Sequence, residues 1–133
     1  MADRVEVIEN LFIPMPDGTR LAARLWLPAG PAAGAIVEYM PYRKRDATRT
    51  RDEPIHAWLA GRGHPCLRVD MRGSGDSDGV LAQEFQAQEQ DDACALIAWI
   101  ALQPWCDGSV VMLGKSWGAF AGLMAAMRQP PAL

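Results

Sequence analysis

The chain has 133 residues, 50% of them hydrophobic, and its 13 basic and 16 acidic side chains give a formal charge of -3. That length and apolar content fit one globular core, and so small a net charge supplies no broad field for nucleic acid or an acidic membrane surface. No run approaches the roughly 18 apolar residues of a membrane span, and the opening MADRVEVIEN lacks an apolar leader core, so a cytoplasmic location is expected.

In chain order, VEVIENLFIPM and TRLAARLWLP are strand-like runs joined by Pro16, Asp17 and Gly18, which favour a tight turn. An antiparallel hairpin is expected there. AIVEYM, residues 35–40, reads as a short buried strand stopped by Pro41. The basic stretch RKRDATRTRDE, Arg43 to Glu53, is interrupted by acids and reads as a solvated loop rather than an anion site. Pro54 suits the first turn of a helix, with Ile55, Trp58 and Leu59 as its apolar face and Gly61 and Gly63 at its end. HPCLRVD, residues 64–70, is the next strand.

Gln88 to Gln103 follows as a helix buried through Ala93, Leu96, Ile97 and Ile100. SVVMLG reads as a strand, and SWGAFAGLMAAMRQ as a helix packed through Phe120, Leu123, Met124 and Met127. Strand and helix alternate from the third strand onward, the pattern of a parallel sheet covered on both faces. Cys66, Cys94 and Cys106 share neither CxxC spacing nor a nearby ligand histidine, so small buried or half-buried thiols are expected and no metal site.

The sequence GKSWG, residues 114–118, places Gly-x-Ser-x-Gly between a predicted strand and a predicted helix. In that setting the glycines relieve crowding and Ser116 stands exposed at the apex as a nucleophile; the plainer reading makes it a helix N-cap. A serine hydroxyl needs a base to take its proton and a carboxylate to orient that base. His64 falls at the amino end of its strand and His56 inside a helix, so both are read as structural. Tyr42 follows the third strand, where its hydroxyl could assist an oxyanion together with the Trp117 amide, or simply pack at the rim. DMRGSGDSDG, Asp70 to Gly79, lacks a P-loop ending and is expected to form a self-bonded loop at the edge of the site.

PMPDGTRLAARLWLP, YMPYRKRD, RVDMRGSGDSDG, EQDDACALIAWIALQPWCDG and GKSWGAF together resemble the N-terminal portion of the cocaine esterase and X-prolyl dipeptidyl-peptidase type (CocE/NonD) of α/β-hydrolase. The resemblance implies a partial α/β-hydrolase fold over residues 1–133: an antiparallel hairpin, then parallel strands with crossover helices. It implies a serine hydrolase cleaving ester, amide or X-prolyl peptide bonds through an acyl-enzyme on Ser116, with Tyr42 and the Trp117 amide as oxyanion hole and no cofactor. It gives no catalytic role to His56 or His64. The family's aspartate and histidine, cap region and jelly-roll domain come later in the chain than Ser116, and none of the seventeen residues after it is Asp, Glu or His.

Lys115 stands where the resemblance implies a small or apolar residue. Pointing inward its ammonium must pair or lose its proton, and pointing outward it costs little. With SVVMLG as an exposed sheet edge, self-association is expected. The alternative to a hydrolase with a small ester, amide or peptide substrate is a non-catalytic binding or assembly module retaining the half-sheet.

Overall fold

The computed structural model describes residues 4–133. Strands β1 (Val5–Pro14) and β2 (Arg20–Pro28) form the expected antiparallel hairpin. Its turn closes through Gly18 N–H on the Met15 carbonyl at 2.9 Å, with Gly18 at φ 86°. Next come β3 (Ala33–Met40), helix α1 (Arg49–Ala60), β4 (Cys66–Asp70), α2 (Ala87–Ala101), β5 (Cys106–Met112) and α3 (Trp117–Met127). The strands make one sheet in the order β1-β2-β4-β3-β5. β3, β4 and β5 are parallel, and β2 joins them antiparallel to β4.

Strand alternation divides the sheet into two chemically different faces. Leu21, Ala23 and Leu25 of β2, Val37 and Tyr39 of β3, and Leu67 and Val69 of β4 share one core with Ala93, Leu96, Ile97 and Ile100 of α2 and Ala121 and Ala125 of α3. The intervening residues, Arg24, Trp26, Glu38, Cys66, Arg68 and Asp70, are buried on the other face, where α1 contacts β2 and β4. One side of the sheet is therefore hydrocarbon and the other largely ionic.

That division corrects two expected helix faces. In α1, Ile55 and Trp58 are exposed and Leu59 half-buried, while Asp52, His56 and Ala60 point inward. The helix also begins before Pro54: Arg49 pairs with Glu53 at 2.8 Å, and the Asp52 amide donates to the Thr48 carbonyl at 3.0 Å. Pro54 lies inside the helix at modest cost, because Thr50, whose carbonyl loses its partner, is exposed. In α3, Phe120, Leu123 and Met127 are exposed, Met124 is half-buried, and Gly118, Ala121 and Ala125 face the sheet. Small residues line this interface because the helix lies close to it: a Cβ on Gly118 would come 3.3 Å from the Tyr39 carbonyl oxygen.

The basic stretch is likewise more than a solvated loop. Arg43 and Arg45 are exposed, but Lys44 is fully buried. Its ammonium donates to the Glu9 carbonyl (3.2 Å), Asn10 Oδ1 (2.9 Å) and Asp76 Oδ2 (3.0 Å). Glu9 and Asn10 sit where the β1–β2 register shifts, so an irregular strand supplies acceptors that its ladder does not use. Cys66, Cys94 and Cys106 are free, and burial pushes the Cys66 thiol up to about 12. Among the described residues no helix is long and apolar enough to cross a membrane, and no group of His, Cys, Asp or Glu is arranged to hold a metal ion.

The reassigned α3 face is open to a direct check. Ile97→Ala should cost about 2–5 kcal/mol by cavity formation, whereas Leu123→Ala should change stability by no more than about 0.5 kcal/mol. Chemical denaturation of the two variants reads the difference, and equal losses would contradict the two-faced core.

Candidate active site

Ser116 occupies the junction between β5 and α3 with φ 51° and ψ -122°, and it is exposed. A non-glycine residue on the positive-φ side costs about 1–3 kcal/mol, so its surroundings must hold it there. The two motif glycines permit the turn. A Cβ on Gly114 would fall 2.4 Å from the carbonyl carbon and oxygen of Gly118, so no side chain fits at 114. Ser116 makes no side-chain capping hydrogen bond to α3, which removes the plainer N-cap reading of its hydroxyl.

Tyr42, just beyond β3, reaches the same turn: the Trp117 amide donates to the Tyr42 hydroxyl oxygen at 2.8 Å. The phenol accepts in that bond, which leaves its own proton available to another acceptor. The structure thus brings Ser116, Trp117 and Tyr42 together across 75 residues of chain.

Two buried carboxylates, neither singled out from sequence, grip the residues flanking the serine. Lys115 settles the question of its direction by reaching inward: Nζ donates to Asp52 Oδ1 at 2.5 Å, with the lysine side chain 40% exposed and Asp52 1%. Asp52 also accepts from Arg51 (2.7 and 3.1 Å) and from Arg68 Nη1 (3.0 Å). Burial alone would raise this carboxyl, but the hydrogen bonds from Arg51, Lys115 and Arg68 outweigh it and hold the group well below the usual carboxylate range. On the other side of the serine, Trp117 Nε1 donates to Glu89 Oε1 at 2.9 Å, and the Phe85 amide donates to Glu89 Oε2 at 3.1 Å. Burial raises the Glu89 carboxyl, and these two donors only partly oppose it.

Both histidines are engaged elsewhere. His56 is 1% exposed and stacks on Trp26 at 4.9 Å. Its Nδ1 lies 3.0 Å from the Asp52 carbonyl oxygen and its Nε2 3.1 Å from Glu38 Oε2. His64 Nδ1 lies 3.1 Å from the Gly34 carbonyl oxygen, at the amino end of β3 and away from the serine turn at the carboxyl ends. The loop after β4 is self-bonded as expected. Asp70 accepts from the Lys44 and Asp76 amides at 2.5 and 2.9 Å, and a Cβ on Gly75 would collide with Asp70 Oδ2 at 2.1 Å.

A mixed sheet with helices on both faces, and a serine held at positive φ between a parallel strand and the following helix, define an α/β-hydrolase-like chain. Sequence comparison makes the assignment narrower: the chain belongs to the X-Pro dipeptidyl-peptidase (S15) family, whose sequence profile matches residues 17–133. Cocaine esterase of Rhodococcus is 36% identical over 84% of this chain and 19% of its own length. A predicted serine esterase of Mycobacterium bovis is 29% identical over 93% of this chain and 23% of its own length. The chain therefore spans about a fifth to a quarter of these relatives. Among solved structures, a CocE/NonD family hydrolase from Staphylococcus aureus superposes with a TM-score of 0.82 at 22% identity, covering 97% of this chain and 26% of that one. An α-amino acid ester hydrolase gives 0.79 at 23% identity, covering 99% and 24%.

Asp52 gives the site a defined acid response. Its folded carboxyl titrates below the ordinary 3.8, so its contribution to stability is complete above that value and is lost as pH falls through the lower folded one. Asp52→Asn should cost about 3–5 kcal/mol at neutral pH by leaving the buried Arg68 with one carboxylate instead of two. It should also flatten the decline in stability expected of the parent below pH 3.8. Denaturation midpoints against pH measure both, and parallel acid limbs for the two proteins would refute the assignment.

Proposed function

We propose that this chain is the N-terminal part of the catalytic domain of a serine hydrolase, with Ser116 as its nucleophile. The observation that carries the reading is the exposed Ser116 at φ 51°, next to an amide that already meets the Tyr42 hydroxyl at 2.8 Å. In the proposed reaction Ser116 Oγ attacks the carbonyl carbon of an ester, amide or X-prolyl peptide and passes its proton to a base. The carbonyl oxygen, now an oxyanion, takes hydrogen bonds from the Trp117 amide and the Tyr42 hydroxyl, the amide turning from the phenol toward the stronger acceptor. Collapse expels the alcohol or amine, which takes up a proton, and water then cleaves the acyl-enzyme to release the acid and restore Ser116.

Neither histidine is placed to act as the base. His56 is sealed between Trp26, Glu38 and Asp52, and His64 lies at the wrong end of the sheet. The reading therefore draws the base and its orienting carboxylate from residues beyond those described, in keeping with the share of its relatives that the chain spans. The names of the relatives favour small esters, amides or short peptides as substrates. No step calls for a cofactor.

A second reading, a non-catalytic assembly module, draws support from β5. It ends the sheet order with Val111 57% exposed, beside the exposed Phe120, Leu123 and Met127. Self-association through that edge belongs to this reading.

A fluorophosphonate separates the two, because stable labelling requires an activated serine. Labelling should be lost in Ser116→Ala, and Tyr42→Phe should slow it about 10²–10³-fold while leaving thermal stability nearly unchanged. Because the base lies outside the described residues, the labelling is read on the full-length protein that supplies it: absence of labelling there would favour the assembly module, and labelling that survives Ser116→Ala would displace the nucleophile altogether.

A further inference from the structure

Ser116 adopts a costly backbone conformation, yet its own side chain contributes no capping bond to hold it. Its carbonyl accepts the Ala119 and Phe120 amides at 3.0 and 3.1 Å, and beyond these backbone bonds the side chains of its two neighbours are tied down. Lys115 reaches Asp52, which α1 holds on the ionic face of the sheet; Trp117 reaches Glu89, which α2 holds on the hydrocarbon face. Each carboxylate is itself fixed by further bonds. Asp52 is fastened to β4 through Arg68, and Arg68 to β3 through Glu38 at 3.0 Å. Glu89 also takes the Phe85 amide, and its backbone carbonyl accepts the Tyr39 hydroxyl of β3 at 3.1 Å. The serine turn is therefore tethered from both sides of the sheet to anchors that cannot shift without disturbing β3.

We infer that Lys115 and Trp117, through the buried carboxylates of Asp52 and Glu89, act as a pair of positioning residues that hold Ser116 and the Trp117 amide in reactive geometry. The inference rests on the reading of Ser116 as nucleophile, but the tethers also have a consequence independent of chemistry. A turn released on one side gains freedom at the Trp117 amide, whose bond to Tyr42 then opens more often.

Lys115→Met is the cleaner probe, because Asp52 keeps Arg51 and Arg68 as partners and the lysine side chain is 40% exposed. Trp117→Phe removes the indole donor while keeping an aromatic ring and the backbone amide. In the full protein each variant should slow phosphonylation of Ser116 by about ten- to a hundredfold, the scale expected of a misplaced reacting group. Lys115→Arg, which retains a cationic donor, should restore most of the rate. Amide hydrogen exchange at Trp117 should accelerate about tenfold in Lys115→Met and Trp117→Phe, while that at Ala121 inside α3 stays unchanged.

Variants that lose global stability but label at the parent's rate and keep its exchange at Trp117 would overturn the inference. So would Lys115→Arg labelling as slowly as Lys115→Met. A parent that does not label at all refutes the nucleophile reading instead, and the exchange rates then decide whether the tethers exist.

Discussion

The guanidinium of Arg68 is the interaction on which one half of the molecule depends. It is fully buried and donates to Glu38 and Asp52, each at 3.0 Å, and to Thr48 Oγ1 at 2.5 Å. These contacts join β4 to β3 and both to the start of α1. A buried cation is tolerable only when its charge is met and most of its donors are paired; here Nη1 and Nη2 are paired and Nε meets no partner among the described residues, so α1 must present carboxylate and hydroxyl where a surface helix would ordinarily present hydrocarbon. The position of α1, the extra turn before Pro54 and the burial of His56 beside Glu38 all follow from that demand.

The two faces of the sheet meet the serine turn differently. The hydrocarbon face supplies close approach. Gly118, Ala121 and Ala125 let α3 settle onto the strands, and that closeness forces Gly114 to remain a glycine. The ionic face supplies direction, since a salt bridge into a buried carboxylate fixes where Lys115 points in a way that apolar packing does not. Strain of about 1–3 kcal/mol at Ser116 persists because both kinds of contact oppose its release.

Much of this was legible in the sequence, and the failures share one physical cause. The hairpin, the three parallel strands and α2 announce themselves through alternation, turn residues and a 3.6-residue apolar period, and on the face shared with α2 they follow the ordinary rule that hydrocarbon goes inside. The faces of α1 and α3 differ from the expected ones because that rule does not govern them: α1 buries Asp52 and His56 against charged strand residues, and α3 buries glycine and alanine. The signal for α1 lay in the strands. In AARLW, VEY and LRVD a charged residue stands between apolar neighbours, so a strand covered on both faces must bury it. A buried Arg24, Glu38 or Arg68 then requires partners, and the acids of RTRDE, in the first turns of α1, supply two of them: Asp52 to Arg68 and Glu53 to Arg24. Glu89 carried no comparable signal, since its role depends on an indole 28 residues away.

The same logic accounts for the lysine beside the serine. Behind α1 lie two carboxylates, Glu38 and Asp52, and one fully buried arginine that both must share. Arg51, 60% exposed, and Lys115, 40% exposed, also reach Asp52, and solvent screens both in part. Of these two, Lys115 is the one that belongs to the serine turn. Positions 52 and 115 are thus electrostatically one unit. Placing that cation next to the residue held at positive φ makes the charge balance of one face of the sheet a constraint on the geometry of the turn.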